Sequence, residues 1–198
     1  MTLRVGITGG MGSGKTIVAA IFATLGIPVY QADDAAKRLM NEDESLKEQI
    51  KKVFGEEAYK EDRLDRSYLG SLVFNNPEKL EKLNAIVHPA TIADGEAWMQ
   101  QQTSPYAIKE AAIIFESGSQ RYLDYIIGVT APATLRIHRS MKRDNLSRDE
   151  VMARLSKQMN DAIKMKLCDV VIINDEQQAL IPQVMKVHEQ LMKQATSN

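Results

Sequence analysis

Leu3-Arg4-Val5-Gly6-Ile7-Thr8-Gly9-Gly10-Met11-Gly12-Ser13-Gly14-Lys15-Thr16 decides how the rest of the chain is read. Leu3 to Thr8 is short, apolar and β-branched and stops at glycines, the pattern of a buried parallel strand. Gly9 to Gly14 reads as a loop. From Lys15 to Leu25 the spacing is helical, with Val18, Ile21, Phe22 and Leu25 on one face. Gly26 ends that helix, and Ile27 to Tyr30 reads as a second strand. Strand, loop, helix and strand in this order predict a parallel α/β sheet.

Gly9 to Thr16 fits G-x-x-x-x-G-K-[ST] in full, with a strand before it and an amphipathic helix after it. Glycines allow backbone angles that turn several N–H groups inward, and the helix adds its free amides and the positive end of its dipole. A loop of Gly10, Met11, Gly12, Ser13 and Gly14 is therefore suited to a triphosphate. Lys15 is expected to reach the β- and γ-phosphates, and Thr16 to offer its hydroxyl to Mg²⁺ held with ATP.

Working outward, residues 34 to about 102 read as largely helical. Leu46, Ile50, Val53 and Phe54 form one apolar stripe and Leu80, Leu83, Ile86 and Val87 another. Pro77 and Pro89 mark helix starts or turns. Tyr106 to Phe115, Tyr125 to Thr130 and Asp169 to Ile173 read as further strands, for about five parallel strands in all. Ala133 to Asn145 and Ser147 to Leu167 read as two charged helices, and Leu180 to Gln194 as a closing one. The expected layout is a single domain with a core of 1–32, 104–132 and 168–198, a helical lobe of about 33–103 and a lid of about 133–167.

The 198 residues carry 25 Lys and Arg against 26 Asp and Glu, which leaves no basic surplus for nucleic acid. No apolar run approaches the roughly 20 residues that span a bilayer, and the start lacks a secretory leader's pattern. The cytoplasm is the expected location. One cysteine, Cys168, rules out an internal disulfide and a cysteine metal cage. Oligomeric state stays open, with a monomer favoured.

Asp33 and Asp34 follow the second strand, where a parallel sheet opens its ligand crevice. A carboxylate at Asp33 is suited to orienting an acceptor hydroxyl and taking its proton, or either aspartate caps a helix starting near Ala35. Arg136, Arg139 and Arg143 recur at spacings of three and four and share one face, with Arg154 on the next helix. They form a phosphate-facing stripe or a solvated one. Glu110, inside the third strand, suits a Mg²⁺-bound water or a substrate amine, and Glu116 ends that strand at the crevice edge. Asn174-Asp175 closes the last strand with a nucleobase contact or a turn. His88 is structural or near substrate; His138 and His188 are read as surface residues.

A switch GTPase would carry Asn-Lys-x-Asp and Asp-x-x-Gly, and neither occurs. A motor or transporter ATPase would be longer. A small-molecule kinase laid out like the nucleoside monophosphate kinases fits the short chain, the insertion after strand two and the late arginines. A kinase of another small metabolite, or a nucleotide-binding module without transfer activity, also fits the loop.

The chain resembles the dephospho-coenzyme A kinase family over nearly its full length. The likeness is carried by Val5 to Thr16, Ala32-Asp33, His88-Pro89 and Ile113-Ile114-Phe115-Glu116-Ser117-Gly118. It continues through Arg139, Arg143-Asp144, Arg154 with Gln158, and Asp169 to Asn174. The resemblance implies a three-layer P-loop NTPase fold with a helical substrate-binding insertion and a helical lid. It implies transfer of the γ-phosphate of ATP to the ribose 3′-hydroxyl of dephospho-CoA, the last step of coenzyme A synthesis. It casts Asp33 as base, Arg139 as a lid contact to phosphate, and His88 as a residue near the acceptor. Three departures stand out. Gln31 replaces the first acid of the family's Asp-Ala-Asp, Glu110-Ala111-Ala112 replaces Asp-x-Pro, and Ile17 replaces a serine after Thr16.

Overall fold

The computed structural model describes residues 2–73 and 76–197; residues 74 and 75, within the expected helical stretch, lie outside them. In chain order the elements are β1 (Leu3–Thr8), α1 (Lys15–Thr24), β2 (Val29–Gln31), α2 (Ala32–Glu42), α3 (Glu44–Phe54), β3 (Tyr59–Lys60), β4 (Arg63–Leu64) and α4 (Arg66–Val73). There follow α5 (Pro77–Gln100), β5 (Tyr106–Glu110), β6 (Tyr125–Thr130), α6 (Ala133–Asp144), α7 (Arg148–Leu155), α8 (Asp161–Lys166), β7 (Val170–Ile173) and α9 (Leu180–Ser197). They group into two compact units, one of residues up to Gln31 and from Trp98 onward, the other of Ala32–Ala97.

The first unit is a parallel sheet in the spatial order β2-β5-β1-β6-β7. The expected five parallel strands are present. β1 is central, so the loop that follows it leaves from the middle of the carboxyl edge. Side chains alternate across the sheet. Val5, Ile7, Ile108 and Ile127 join Phe22 of α1 and Val184 and Leu191 of α9 in one core. Gly6 and Gly128 point the other way: a Cβ on Gly6 would stand 2.8 Å from Ile114 Cδ1, and one on Gly128 2.7 Å from Met165 Sδ. Helices on both faces make the three-layer α/β fold. Ile127 is fully buried, in register with Ile7 and Val170. Ile127→Ala is expected to lower unfolding free energy by about 2–5 kcal/mol, measured by denaturant titration.

The second unit packs Leu39, Leu46, Ile50, Phe54, Leu69 and Val87. Asp43 caps α3 by accepting from the Leu46 amide at 3.0 Å. A two-stranded hairpin, β3 and β4, lies where helix was expected. Its turn residues Glu61 and Asp62 have φ of 48° and 61°. Lys47, 2% exposed, fastens it by pairing with Asp62 and Glu44 at 2.9 Å each.

Five boundaries differ from expectation, each for a physical reason. β2 starts at Val29 because Pro28 has no N–H for the ladder, although its carbonyl accepts from Ile108 N at 2.9 Å. α2 begins at Ala32, so Asp33 and Asp34 lie in its first turn, favoured by the helix dipole, and neither is a cap before Ala35. Pro77 starts α5, but Pro89 lies inside that helix. β5 stops at Glu110; the apolar Ile113-Ile114-Phe115 run folds into turns, with Ser117 N donating to Ile113 O and Ser119 N to Ile114 O at 3.0 Å. That run is apolar because Ile114 is fully buried against the sheet. The expected single helix 147–167 breaks into α7 and α8, since Asn160 caps α8 by accepting from the Ala162 and Ile163 amides.

Candidate active site

The loop between β1 and α1 has Gly12 and Gly14 at φ of 78° and 91°, a region open to glycine at little cost. A Cβ on Gly14 would collide with the Asn174 amide, and one on Gly12 with the Arg136 carbonyl. Gly14 also caps α1, and having no side chain it leaves the helix's first amides without a side-chain cap of its own. Ser13 N donates to Gly10 O at 3.1 Å, which closes the loop into a turn. An amide-lined helix start of this kind favours an anion.

Lys15, 9% exposed, opens α1, and its Nζ stands 3.5 Å from Glu110 Oε1. Glu110 is the last residue of β5, the neighbour of β1, and is 4% exposed. Register therefore brings a cation from the loop and a carboxylate from the next strand to one place on the carboxyl edge. Thr16 and Ile17 are exposed, with Ile17 at 57%. The Thr16 hydroxyl and the Glu110 carboxylate are hard oxygen donors, the type that Mg²⁺ takes. Among the described residues no group of three or more His, Cys, Asp or Glu could hold a metal, so an ion here would draw on the nucleotide's own oxygens.

The arginine stripe is not three equivalent groups. Arg136 is buried; its Nε donates to Met11 O at 3.2 Å and its Nη1 pairs with Asp161 Oδ1 at 2.9 Å. Arg139 donates to Glu176 Oε1 from Nη2 at 2.8 Å and to Asn174 O from Nη1 at 3.2 Å. Arg143 grips Asp144 with two bonds of 2.8 Å, which hold the Asp144 carboxyl below its usual range. Arg154, on α7, is exposed.

Asn174 is buried, and its Nδ2 donates to Ser13 O at 2.9 Å; the amide expected at a nucleobase or a turn braces the loop. The Met11 amide is likewise engaged, donating to Gln158 Oε1 at 3.0 Å. Glu116 does not end β5. It lies in the following turns and accepts from Lys164 Nζ at 2.8 Å and Met159 N at 2.9 Å. Lys164, fully buried, also donates to Ala112 O at 2.8 Å. No local spacing announces these contacts of Gln158 and Lys164. His188, expected at the surface, is half-buried, its Nδ1 2.6 Å from the Tyr106 hydroxyl.

In the helical unit Asp33 is exposed in the first turn of α2, and Asp34 pairs with Lys37 at 2.6 Å. His88 is half-buried on α5, and burial lowers its pKa, favouring the neutral ring. Burial pushes the Cys168 thiol up to about 11, with the Asp169 charge adding to the effect. A thiol with that pKa is about 0.1% thiolate at pH 8, so native Cys168 should react with iodoacetamide at least about a hundredfold more slowly than the unfolded chain. Equal rates would contradict the packed-thiol environment.

A parallel sheet in this order, with a glycine loop ending on Lys15 beside a strand-end carboxylate, defines a P-loop kinase. The dephospho-CoA kinase family model matches residues 3–179. A dephospho-CoA kinase of Chlorobium chlorochromatii is 38% identical over 204 residues, covering 98% of this chain and 96% of its own. One of Bacteroides fragilis (strain YCH46) is 34% identical over 188 residues, covering 94% and 92%. The solved dephospho-CoA kinase from Campylobacter jejuni is 29% identical and superposes with a TM-score of 0.71, covering 98% of both chains. The protein TT1252 from Thermus thermophilus reaches 0.81 at 34% identity, covering 98% and 97%. This chain belongs to the dephospho-CoA kinase family. A shikimate kinase from Acinetobacter baumannii, at 14% identity and a TM-score of 0.57 over 98% and 95%, shares the fold alone.

Proposed function

We propose that this chain moves the γ-phosphoryl group of ATP to the ribose 3′-hydroxyl of dephospho-CoA, releasing ADP and coenzyme A. The observation that carries the proposal is the glycine loop. Two left-handed glycines lead into an uncapped helix start, and buried Lys15 lies 3.5 Å from Glu110, in a chain of this family. Phosphoryl transfer passes through a loose, in-line transition state, so catalysis is positioning and charge stabilisation.

Gly10, Gly12, Ser13 and Gly14 shape the loop around the phosphates, and Met11 holds that shape through its engaged amide and carbonyl. Lys15 leaves Glu110 for the β- and γ-oxygens. Thr16 and Glu110 are the residues that would hold Mg²⁺ with the nucleotide, Thr16 by its hydroxyl and Glu110 through water. Bound there, the ion would supply neutralisation of the phosphate charge. Ile17 lies against the nucleotide and provides no second hydroxyl. Arg139 exchanges Glu176 for phosphate, Arg143 assists it, and Asn174 keeps the loop's far side in place while bordering the base. Residues 133–167 act as the lid and the Ala32–Ala97 unit as the acceptor lobe. There Asp33 takes the 3′-hydroxyl proton, and His88 contacts the acceptor with a neutral ring. Glu116 and Arg154 complete the acceptor contacts, Glu116 indirectly through Lys164 and the Met159 amide.

The partners in this reading are small molecules and the location is the cytoplasm. Among the described residues no helix is long and apolar enough to cross a membrane. An ADP-release assay with and without dephospho-CoA tests the proposal, with the product identified by mass. Release that depends on dephospho-CoA is expected. Release driven instead by another small alcohol, or none with any acceptor, would overturn it.

A further inference from the structure

Met11 sits at the crown of the glycine loop, and both of its backbone polar groups are held from elsewhere in the chain. Its N–H donates to Gln158 Oε1 at 3.0 Å, from the segment joining α7 to α8. Its carbonyl accepts from Arg136 Nε at 3.2 Å, on α6. Arg136 is in turn fixed. Its Nη1 stands 2.9 Å from Asp161 Oδ1, and Asp161 Oδ2 accepts from the hydroxyl of Thr130, the last residue of β6, at 2.7 Å. A line of contacts thus runs from β6 through Asp161 and Arg136 to the loop.

A charged arginine that is only 8% exposed is costly unless its donors are used, and two of the partners it uses are the loop carbonyl and Asp161. It also dictates the loop's composition. A Cβ on Gly10 would strike the Arg136 guanidinium, and one on Gly12 would strike the Arg136 carbonyl. Gly10 has no positive φ, so backbone freedom does not explain its identity. The space taken by Arg136 does.

We infer that Arg136, oriented by Asp161, is a positioning residue for phosphoryl transfer, holding the glycine loop in the shape that grips the triphosphate. It does so from behind the loop and not as a ligand to phosphate, unlike its neighbours Arg139 and Arg143 in the proposed mechanism. The inference rests on the loop being the triphosphate cradle. It does not depend on which acceptor is phosphorylated.

The test is calorimetric titration of MgATP into wild type, Arg136→Ala, Arg136→Lys, Asp161→Asn, Gly10→Ala and the Gly10→Ala/Arg136→Ala pair. KM for ATP and dephospho-CoA and thermal unfolding are measured beside it. Arg136→Ala is expected to weaken MgATP about ten- to a hundredfold, the scale of a misplaced binding group, while KM for dephospho-CoA stays within about twofold. Arg136→Lys keeps a charge for Asp161 but lacks the planar fork, and is expected to fall between. Gly10→Ala alone should weaken MgATP, and adding it to Arg136→Ala should cost little more, because the two nearest atoms to the methyl, both of the Arg136 guanidinium, are then gone and Asp161 Oδ1 stands 3.1 Å away. MgATP affinity within twofold of wild type in folded Arg136→Ala, or in Arg136→Lys should the alanine variant not fold, would overturn the inference. So would additive losses in the double variant. A wild type that binds MgATP but leaves dephospho-CoA unphosphorylated would remove the proposed acceptor while the titration still decides the role of Arg136.

Discussion

Asp33→Asn is expected to lower kcat about a hundred- to ten-thousandfold, the range a general base contributes, while KM for ATP stays within about twofold. Asparagine keeps the size and one acceptor oxygen but cannot take the 3′-hydroxyl proton as the new P–O bond forms. The expectation is specific because Asp33 and Asp34 are adjacent but differently engaged. Both are exposed in the first turn of α2, and Asp34 is paired there with Lys37 at 2.6 Å. Asp34→Asn serves as the control and should change kcat little. Steady-state kinetics at saturating ATP and acceptor read both. A wild-type kcat in Asp33→Asn would take the residue out of the mechanism.

The second large effect is at Lys15. Lys15→Ala is expected to cut kcat at least about a hundredfold, as losing one preorganised donor to a transferring group does, and to raise KM for ATP. It also strips Glu110 of a cation 3.5 Å away in a site where both partners are at least nine-tenths buried. Removing one member of a buried pair destabilises, so part of any loss could come from the fold. Thermal unfolding measured beside the kinetics separates the two causes. Turnover should stay at least about a hundredfold down at temperatures where Lys15→Ala is fully folded. Near wild-type turnover of the folded variant would show that Lys15 serves stability and not the phosphates.

Much of the α/β unit can be read from residues alone because its signals are local. β1 and β6 match expectation at both ends, each being a short, apolar and largely β-branched run. The glycine loop is equally local, every part lying within eight consecutive residues. The misread segments are those where distant partners decide. Ile113 to Phe115 is apolar like a strand, yet β1 is already paired with β5 and β6, and the run serves to cover Gly6. The β3–β4 hairpin is two residues a side and turns on Glu61-Asp62, with no glycine to mark it. Among the candidate site residues, Lys15 and Thr16 are legible in the motif. Arg136 is not, because spacing placed it in one class with Arg139 and Arg143. Only the fold reveals that it is buried against Met11 while Arg143 faces outward. Asn174 was singled out for its place at the end of the last strand, but nothing in its neighbourhood tells that its partner is Ser13.

That last contact has a consequence for how the protein comes into being. Ser13 and Asn174 are 161 residues apart in sequence. At roughly 5–20 residues per second, a nascent chain exposes its glycine turn many seconds before the buttress for it is synthesised. The glycine turn is thus made early and braced late, and a polypeptide unfinished at that point lacks the amide that holds Ser13.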